Sequence, residues 1–475
     1  MKNKFSGLFK NSVNEEPPVN DSSRRGFIQK AAIGGLGMGF LLTSEDVGAQ
    51  IAYATQKVAR SSAPTALKIT DLRIANTADG PIIKIYTNQD IYGLGEVRDQ
   101  ADPRYALMLK SRILGLNPCN VEQIFKSIKQ FGADGRQGGG VSAVEMALWD
   151  LAGKAYDVPV YQLLGGKYRD RIRIYADTPS SKDPAVYAKR MQHRMELGFT
   201  FLKMDFGIGL IADIPGALVG DNIWKGQSEW DQSRLGNLSS TKHPFTRIQI
   251  TDLGLEKMVE YVHKVREIVG YEIPLAADHF GHFDTNTAIR LGNAVEKYQL
   301  AWLEDLIPWF YTEKWKEITD AINTPTLTGE DIFGKEPFKT LCDAHAVDMI
   351  HPDLATAGGI LETKKIGDYA EEQGIAMAMH NAGTPVSFMA NVHCAAATQN
   401  FIALENHHVD SNYWEDYIKR SEPIVQKGFV TVPEGPGLGI ELNEEVVKAH
   451  LRRGEEFFGP TDEWNNRKSW DRTWS

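Results

Sequence analysis

Residues 301–309 read AWLEDLIPW: an apolar run, two adjacent acids at Glu304 and Asp305, then a proline-containing turn. A buried strand that ends on carboxylates needs something for them to meet, because an unpaired buried charge is costly. The pattern recurs along the chain. Residues 324–333, TPTLTGEDIF, close an apolar stretch on Glu330 and Asp331, and residues 273–282, IPLAADHFGH, close one on Asp278. The steps from 278 to 304 and from 304 to 330 are both 26 residues, so three acids end three successive units of equal length.

Working outward, the same unit extends in both directions. Short apolar runs occur at RIRIYAD, FTFLKMD, IPLAAD, LAWLED, TPTLTGED, AVDMIHPD, IAMAMHN and NFIALEN, with helical patterns such as TNTAIRLGNAVEKY and ILETKKIGDYAEEQG between most of them. This alternation predicts a closed parallel barrel over residues 171–424, whose strand ends converge on one mouth. A long loop rich in Gly, Trp, Ser and Asn, residues 206–252, interrupts the rhythm after FLKMD, and a loop of that length in a compact domain is usually functional or disordered. Residues 67–170 read differently. Three alternating runs, LKITDLRIANT, PIIKIYTN and DIYGLGEVRD, predict an antiparallel meander. A helical stretch at 103–130, a glycine-rich loop around Arg136 and a periodic helix follow, the helix opened by Ser142 and Glu145 as a capping box. The result is a small α+β domain, which the tail at 425–445 is expected to rejoin.

Composition bounds the rest. The chain has 475 residues, a formal net charge of -10 and three cysteines, none in a CxxC spacing. That argues against a nucleic-acid surface, a disulfide framework and a cysteine metal site. Residues 1–49 form a polar leader followed by an export signal: Arg24 and Arg25, then Phe27, a short apolar stretch and a small-residue site at Val47, Gly48 and Ala49. This layout predicts transport of the folded protein by the twin-arginine machinery to the periplasm, with no membrane anchor after cleavage.

At the barrel mouth, carboxylates from three successive strands suit a hard divalent cation bound through oxygen, whereas zinc would want more His or Cys. The segments SAVEMALWDLAGKAYDVPVYQLLGGK and VPEGPGLGIEL resemble the cap-to-barrel and closing segments of the enolase superfamily, in the mandelate racemase/muconate lactonizing enzyme-like group of acid-sugar dehydratases. The resemblance runs from about residue 67 to 445. It implies a modified TIM barrel, (β/α)7β, under an α+β cap, and one Mg²⁺ held by Asp278, Glu304 and Glu330. It also implies a His380–Asp353 dyad, Glu405 as a helper acid, and frequent assembly into symmetric oligomers.

The implied chemistry is removal of the proton beside a sugar-acid carboxylate, and dehydration to a 2-keto-3-deoxy acid. A cycloisomerase or epimerase using the same enediolate, and a non-catalytic sugar-acid binding protein, are the alternatives. The chain departs from the family's Lys-x-Lys pattern at Lys203-Met204-Asp205, which makes a two-base racemase less expected. Lys203 is left as a charge near the substrate carboxylate or a second base, and Asp205 as its partner or a hydroxyl ligand. Some dehydratases place a histidine two residues after the first metal ligand. Phe280 stands there, so His282 just beyond is the candidate, with His279 facing away. Substrate selection is expected of Arg136 in the cap loop and of Trp224, Lys225 and Trp230 in the long loop. Alternation also predicts that only one acid of each pair, Glu304/Asp305 and Glu330/Asp331, faces the metal.

Overall fold

The computed structural model describes residues 63–219, 249–278 and 283–466. Residues 1–49, read from the sequence as a leader and export signal, Trp224, Lys225 and Trp230 of the long loop, and His279 and His282 lie outside the described residues. Among the described residues no helix is long and apolar enough to cross a membrane.

The cap begins as predicted, with β1 (Ile69–Asn76), β2 (Pro81–Thr87) and β3 (Tyr92–Glu96) in an antiparallel meander. Its helical part contains α1 (Val121–Ile128) and α2 (Gly139–Tyr156). The two glycines of DIYGLGE explain how α2 lies so close on β3: a Cβ at Gly93 or Gly95 would sit 2.0 Å from the carbonyl oxygen of Ala147 or Ala143.

Eight parallel strands then close into a barrel: β4 (Arg171–Ala176), β5 (Leu202–Asp205), β8 (Leu275–Asp278), β9 (Leu303–Glu304), β10 (Thr326–Thr328), β11 (Met349–Ile350), β12 (Ala376–Met379) and β13 (Phe401–Asn406). Closure runs through Leu404↔Ile174, Glu405↔Tyr175 and Asn406↔Ala176. A helix follows each of the first seven strands, from α3 (Pro184–Glu196) and α4 (Asp252–Val269) to α8 (Ile360–Glu372) and α9 (Pro385–Ala397). Between them lie α5 (Thr285–Val295), α6 (Thr312–Ala321) and α7 (Lys335–Asp343), completing (β/α)7β. The long loop departs from β5 as a hairpin, β6 (Leu218–Val219) with β7 (Gln249–Ile250). The tail goes first to the barrel, not the cap: β14 (Phe429–Thr431) pairs antiparallel with β4. Beyond it the chain reaches the cap, where Val160 N–H donates to Gly437 O at 3.0 Å and Arg452 N–H to Asn76 O at 2.9 Å.

One apolar residue from each strand fills the barrel interior: Tyr175, Phe201, Ala276, Trp302, Leu327, Met349, Ala378 and Ala403. Strand side chains alternate, so the residue two positions on from each points to the same axis at the mouth. Those residues are Asp177, Lys203, Asp278, Glu304, Gly329, His351, His380 and Glu405. Only β10 breaks the series. Gly329 has φ 147°, a conformation that side-chain-bearing residues rarely adopt, and through it the chain turns to present Glu330 instead.

The capping box within α2 is a misreading. The helix starts at Gly139, so Ser142 lies inside it and donates to Gly138 O at 3.1 Å. Glu145 instead accepts from Ile360 N–H at 2.6 Å and Leu361 N–H at 2.9 Å, capping α8 of the barrel. Glu96 does the same for α9, accepting from Thr384 N–H at 2.7 Å and Ser387 N–H at 2.9 Å. Each buried carboxylate meets the donor-rich positive end of a helix in the other domain. Glu145→Leu leaves the first N–H groups of α8 buried without an acceptor. It is expected to cost about 1–2 kcal/mol, seen as a lower urea midpoint at unchanged slope, whereas an unchanged midpoint would show that this cap carries no stability.

Candidate active site at the barrel mouth

Lys203 occupies the centre of the mouth. Its Nζ lies 2.8 Å from Glu405 Oε1, 3.0 Å from Asp278 Oδ2 and 3.4 Å from Glu304 Oε1, and the side chain is 3% exposed. Burial alone would lower its pKa, but the carboxylates of Asp278, Glu304 and Glu405 more than offset this and hold it well above the usual lysine value. Lys203 is therefore a cation shared by three acids. It pairs with these three rather than with Asp205, whose backbone N–H donates to Tyr187 Oη at 2.7 Å. Burial and the nearby Asp177 push the Asp205 carboxyl well up.

Glu304 is held on both oxygens. Trp302 Nε1 donates to Oε2 at 2.9 Å, and His351 Nδ1 lies 3.0 Å from Oε1. Burial would raise this carboxyl, yet His351 and Lys203 keep it down at about 2. His351, wholly buried, reaches Tyr175 Oη with its other nitrogen at 2.7 Å, and Tyr175 donates onward to Glu405 at 3.0 Å. The adjacent acid does not face away as simple alternation requires. Asp305 takes a left-handed backbone, φ 47°, and its carboxylate returns to within 4.8 Å of oxygens of Glu304 and Glu330. Asp331 does turn outward, toward the cap, where it meets Arg136 at 3.4 Å.

The converging acids are thus Glu304, Asp305 and Glu330, with Asp278 beside Glu304 in strand register. Burial, and then like charge from their neighbours, push the carboxyls of Asp278, Asp305 and Glu330 upward. A set of hard oxygen donors that repel one another at the partly open mouth fits a divalent cation, which would supply the missing positive charge.

On the next strands His380 Nδ1 lies 2.6 Å from Asp353 Oδ2, and His380 Nε2 lies 3.3 Å from Glu330 Oε2. A carboxylate only accepts, and of the two carboxylates Asp353 is the nearer and the one in hydrogen-bond geometry, so Nδ1 carries the proton and, in the neutral ring, Nε2 the lone pair. Asp353 is itself oriented by Thr356 N–H at 3.1 Å. The mouth also receives a residue from the cap that sequence reasoning did not single out. Arg98, on the loop after β3, places NH1 2.7 Å from Asp353 Oδ2, Nε 2.7 Å from Asp99 and NH2 3.5 Å from Glu330. Burial and then the Arg98 charge lower His380 well below its ordinary value, keeping the ring neutral. Arg136 completes this side, bridging Asp331 and Asp99, each at 3.4 Å.

His407 was also missed, although it follows Glu405 by the two-residue step. Its Nε2 lies 3.3 Å from Glu405 Oε1 and its Nδ1 3.6 Å from Asp177 Oδ2. Asp177 closes RIRIYAD as Asp278 closes IPLAAD, so both residues were legible in the strand pattern.

Two family models match the chain: the mandelate racemase/muconate lactonizing enzyme N-terminal domain over residues 50–165, and the enolase C-terminal domain-like model over residues 186–446. A D-xylonate dehydratase of Haloferax volcanii is 33% identical over 386 residues, covering 79% of this chain and 86% of that one. A D-galactonate dehydratase family member, RspA of Pantoea ananatis, is 29% identical over 80% of this chain and 93% of its own length. The crystal structure of a mandelate racemase/muconate lactonizing enzyme-like protein from Rubrobacter xylanophilus superposes with a TM-score of 0.72 at 31% identity, covering 83% of this chain and all of that one.

Lys203→Met should expose the charge balance of this site. Removing the ammonium leaves Asp278, Glu304 and Glu405 buried without their common partner, a change that costs about 3–5 kcal/mol for a broken buried pair. Denaturant unfolding of the metal-free variant reads the loss, and wild-type stability would show that the three acids are balanced elsewhere.

Proposed function

The chain belongs to the mandelate racemase/muconate lactonizing enzyme family of the enolase superfamily, and on that premise we propose that it is a hydro-lyase removing water from a sugar acid to give a 2-keto-3-deoxy acid. The observation that carries this reading is the buried His380–Asp353 pair, set 3.3 Å from Glu330 at the mouth that also gathers Asp278 and Glu304. Binding alone needs an acid-compatible pocket. It does not need an oriented neutral imidazole beside a crowd of carboxylates.

The residues assigned to the cation are Asp278, Glu304 and Glu330, and the ion is Mg²⁺, which suits hard oxygen donors and leaves positions for substrate oxygens. When bound, it would offset the negative charge that develops on the substrate carboxylate as the neighbouring carbon loses its proton. His380 takes that proton at Nε2. Asp353 fixes the ring's tautomer by accepting from Nδ1. Trp302 and His351 hold Glu304 in one orientation, the outer-shell support that a ligating carboxylate requires. The hydroxyl on the next carbon then leaves with a proton as water, and the enol becomes the ketone. Arg136, and the loop residues Trp224 and Lys225, are assigned to recognition of the rest of the sugar chain.

A panel of aldonic acids incubated with the protein and Mg²⁺ tests the reading. At least one is expected to give a 2-keto-3-deoxy acid, with turnover lost on chelation and restored by Mg²⁺. Metal-independent turnover, or binding with no product from any member, would reject it.

We also propose that Arg24 and Arg25 direct the folded protein to the periplasm through the twin-arginine machinery, as the order of arginine pair, apolar stretch and small-residue site supports. Replacing both with lysine should leave folded protein in the cytoplasm. Periplasmic recovery of that variant at the wild-type level would refute the route.

A further inference from the structure

His380 and His407 stand at the ends of neighbouring strands, with ring centroids 5.2 Å apart and planes at 67°. Their surroundings repeat. Each turns Nδ1 toward an aspartate, Asp353 at 2.6 Å or Asp177 at 3.6 Å, and each turns Nε2 toward a glutamate, Glu330 or Glu405, at 3.3 Å. A ring nitrogen of each histidine and a Glu405 oxygen lie within 4.8 Å of one another. The charges differ, however. Asp353 shares its Oδ2 with Arg98, so His380 faces an already neutralised acid. His407 faces Glu405, which Lys203 pairs with at 2.8 Å, and Asp177, which Arg98 does not reach, and it is 26% exposed where His380 is 4%.

We propose that His407, oriented by Asp177, is the general acid of the reaction, giving its Nε2 proton to the departing hydroxyl while His380 removes the proton from the adjacent carbon. This rests on the dehydratase reading above and adds the identity of the second proton donor. The balance is complete. The C–H electrons pass first into the substrate carboxylate as an enediolate and then form the new C=C bond as the C–O bond breaks; the hydroxyl takes the proton of His407 and leaves as water, and the proton on His380 returns to solvent. His407 is recharged from solvent, to which it is open. The proximity of the two nitrogens suits departure of proton and hydroxyl from one face of the substrate. Burial would lower His407, but Asp177 and Glu405 raise it to about 10, so it is cationic where an acid must be.

The test uses the aldonic acid that wild-type enzyme dehydrates and its 3-deoxy-3-fluoro analogue, whose fluoride leaves without needing a proton. His407→Gln is expected to lose at least about 10²-fold in dehydration, yet to keep exchange of the α-hydrogen in D₂O and to release fluoride within a few-fold of wild type. His380→Asn should lose exchange and both eliminations. Asp177→Asn should show a smaller loss of dehydration with the same fluoride rescue, and it decides the matter if His407→Gln does not fold. Undiminished dehydration in His407→Gln would overturn the proposal. So would loss of exchange and fluoride release together with dehydration, which is the pattern of a structural residue or a base. Absence of keto acid from the wild type in every arm would instead reject the dehydratase reading, and this assignment with it.

Discussion

Closure of the barrel on a two-residue side-chain period is the constraint on which everything else rests. Each strand spends one inward position on an apolar side chain, from Tyr175 round to Ala403, and these fill the axis. The next inward position on the same strand has nowhere to point but the mouth. Polar residues placed there are brought together by geometry, whatever their distance along the chain. Burial then dictates that they arrive as a balanced set, since a low-dielectric cavity does not tolerate several uncompensated carboxylates.

Two cations supply part of that balance from opposite domains. Lys203 rises from within the barrel and ties Asp278, Glu304 and Glu405 together. Arg98 descends from the cap and ties Asp353 and Glu330. Between them lie the acids Asp305 and Glu330, whose carboxyls are pushed up by crowding. The place where fixed positive charge runs short is therefore where the acids converge. The neutral His380 follows from the same arrangement: the guanidinium takes up the charge of the aspartate that would otherwise draw a proton onto the ring.

The barrel and most of its polar ring were legible because both depend on local repeats. Equal spacing marks the units, and an acid at the end of an apolar run marks the inward step, as with Asp278, Glu304 and Glu330. Alternation carried past a strand end would have added His407 and Asp177, and His351 lies in the quoted run AVDMIHPD. It fails where the backbone leaves the extended region, as at Asp305 and Gly329, since no pattern of side-chain types encodes a positive φ at an aspartate. Arg98 was illegible for another reason. Its partner Glu330 lies 232 residues away, and a single arginine in a loop has no periodicity to announce it. Ser142 and Glu145 had a convincing local reading that was wrong, because the helix end satisfied by Glu145 belongs to a segment 215 residues distant.

The crossed capping by Glu96 and Glu145 bears on how such proteins can be recombined. Two barrel helices, α8 and α9, borrow their N-terminal acceptors from the cap, and the cap in turn uses those helix ends as hydrogen-bond partners for its own buried acids, whose carboxyls burial still pushes up to about 8. Neither half contains the full set of partners for its interior. A chimera that grafts this cap onto a relative's barrel would have to transplant the helix starts at Ile360 and Thr384 as well. New substrate ranges are thus more accessible to drift within the exposed loops than to exchange of whole domains.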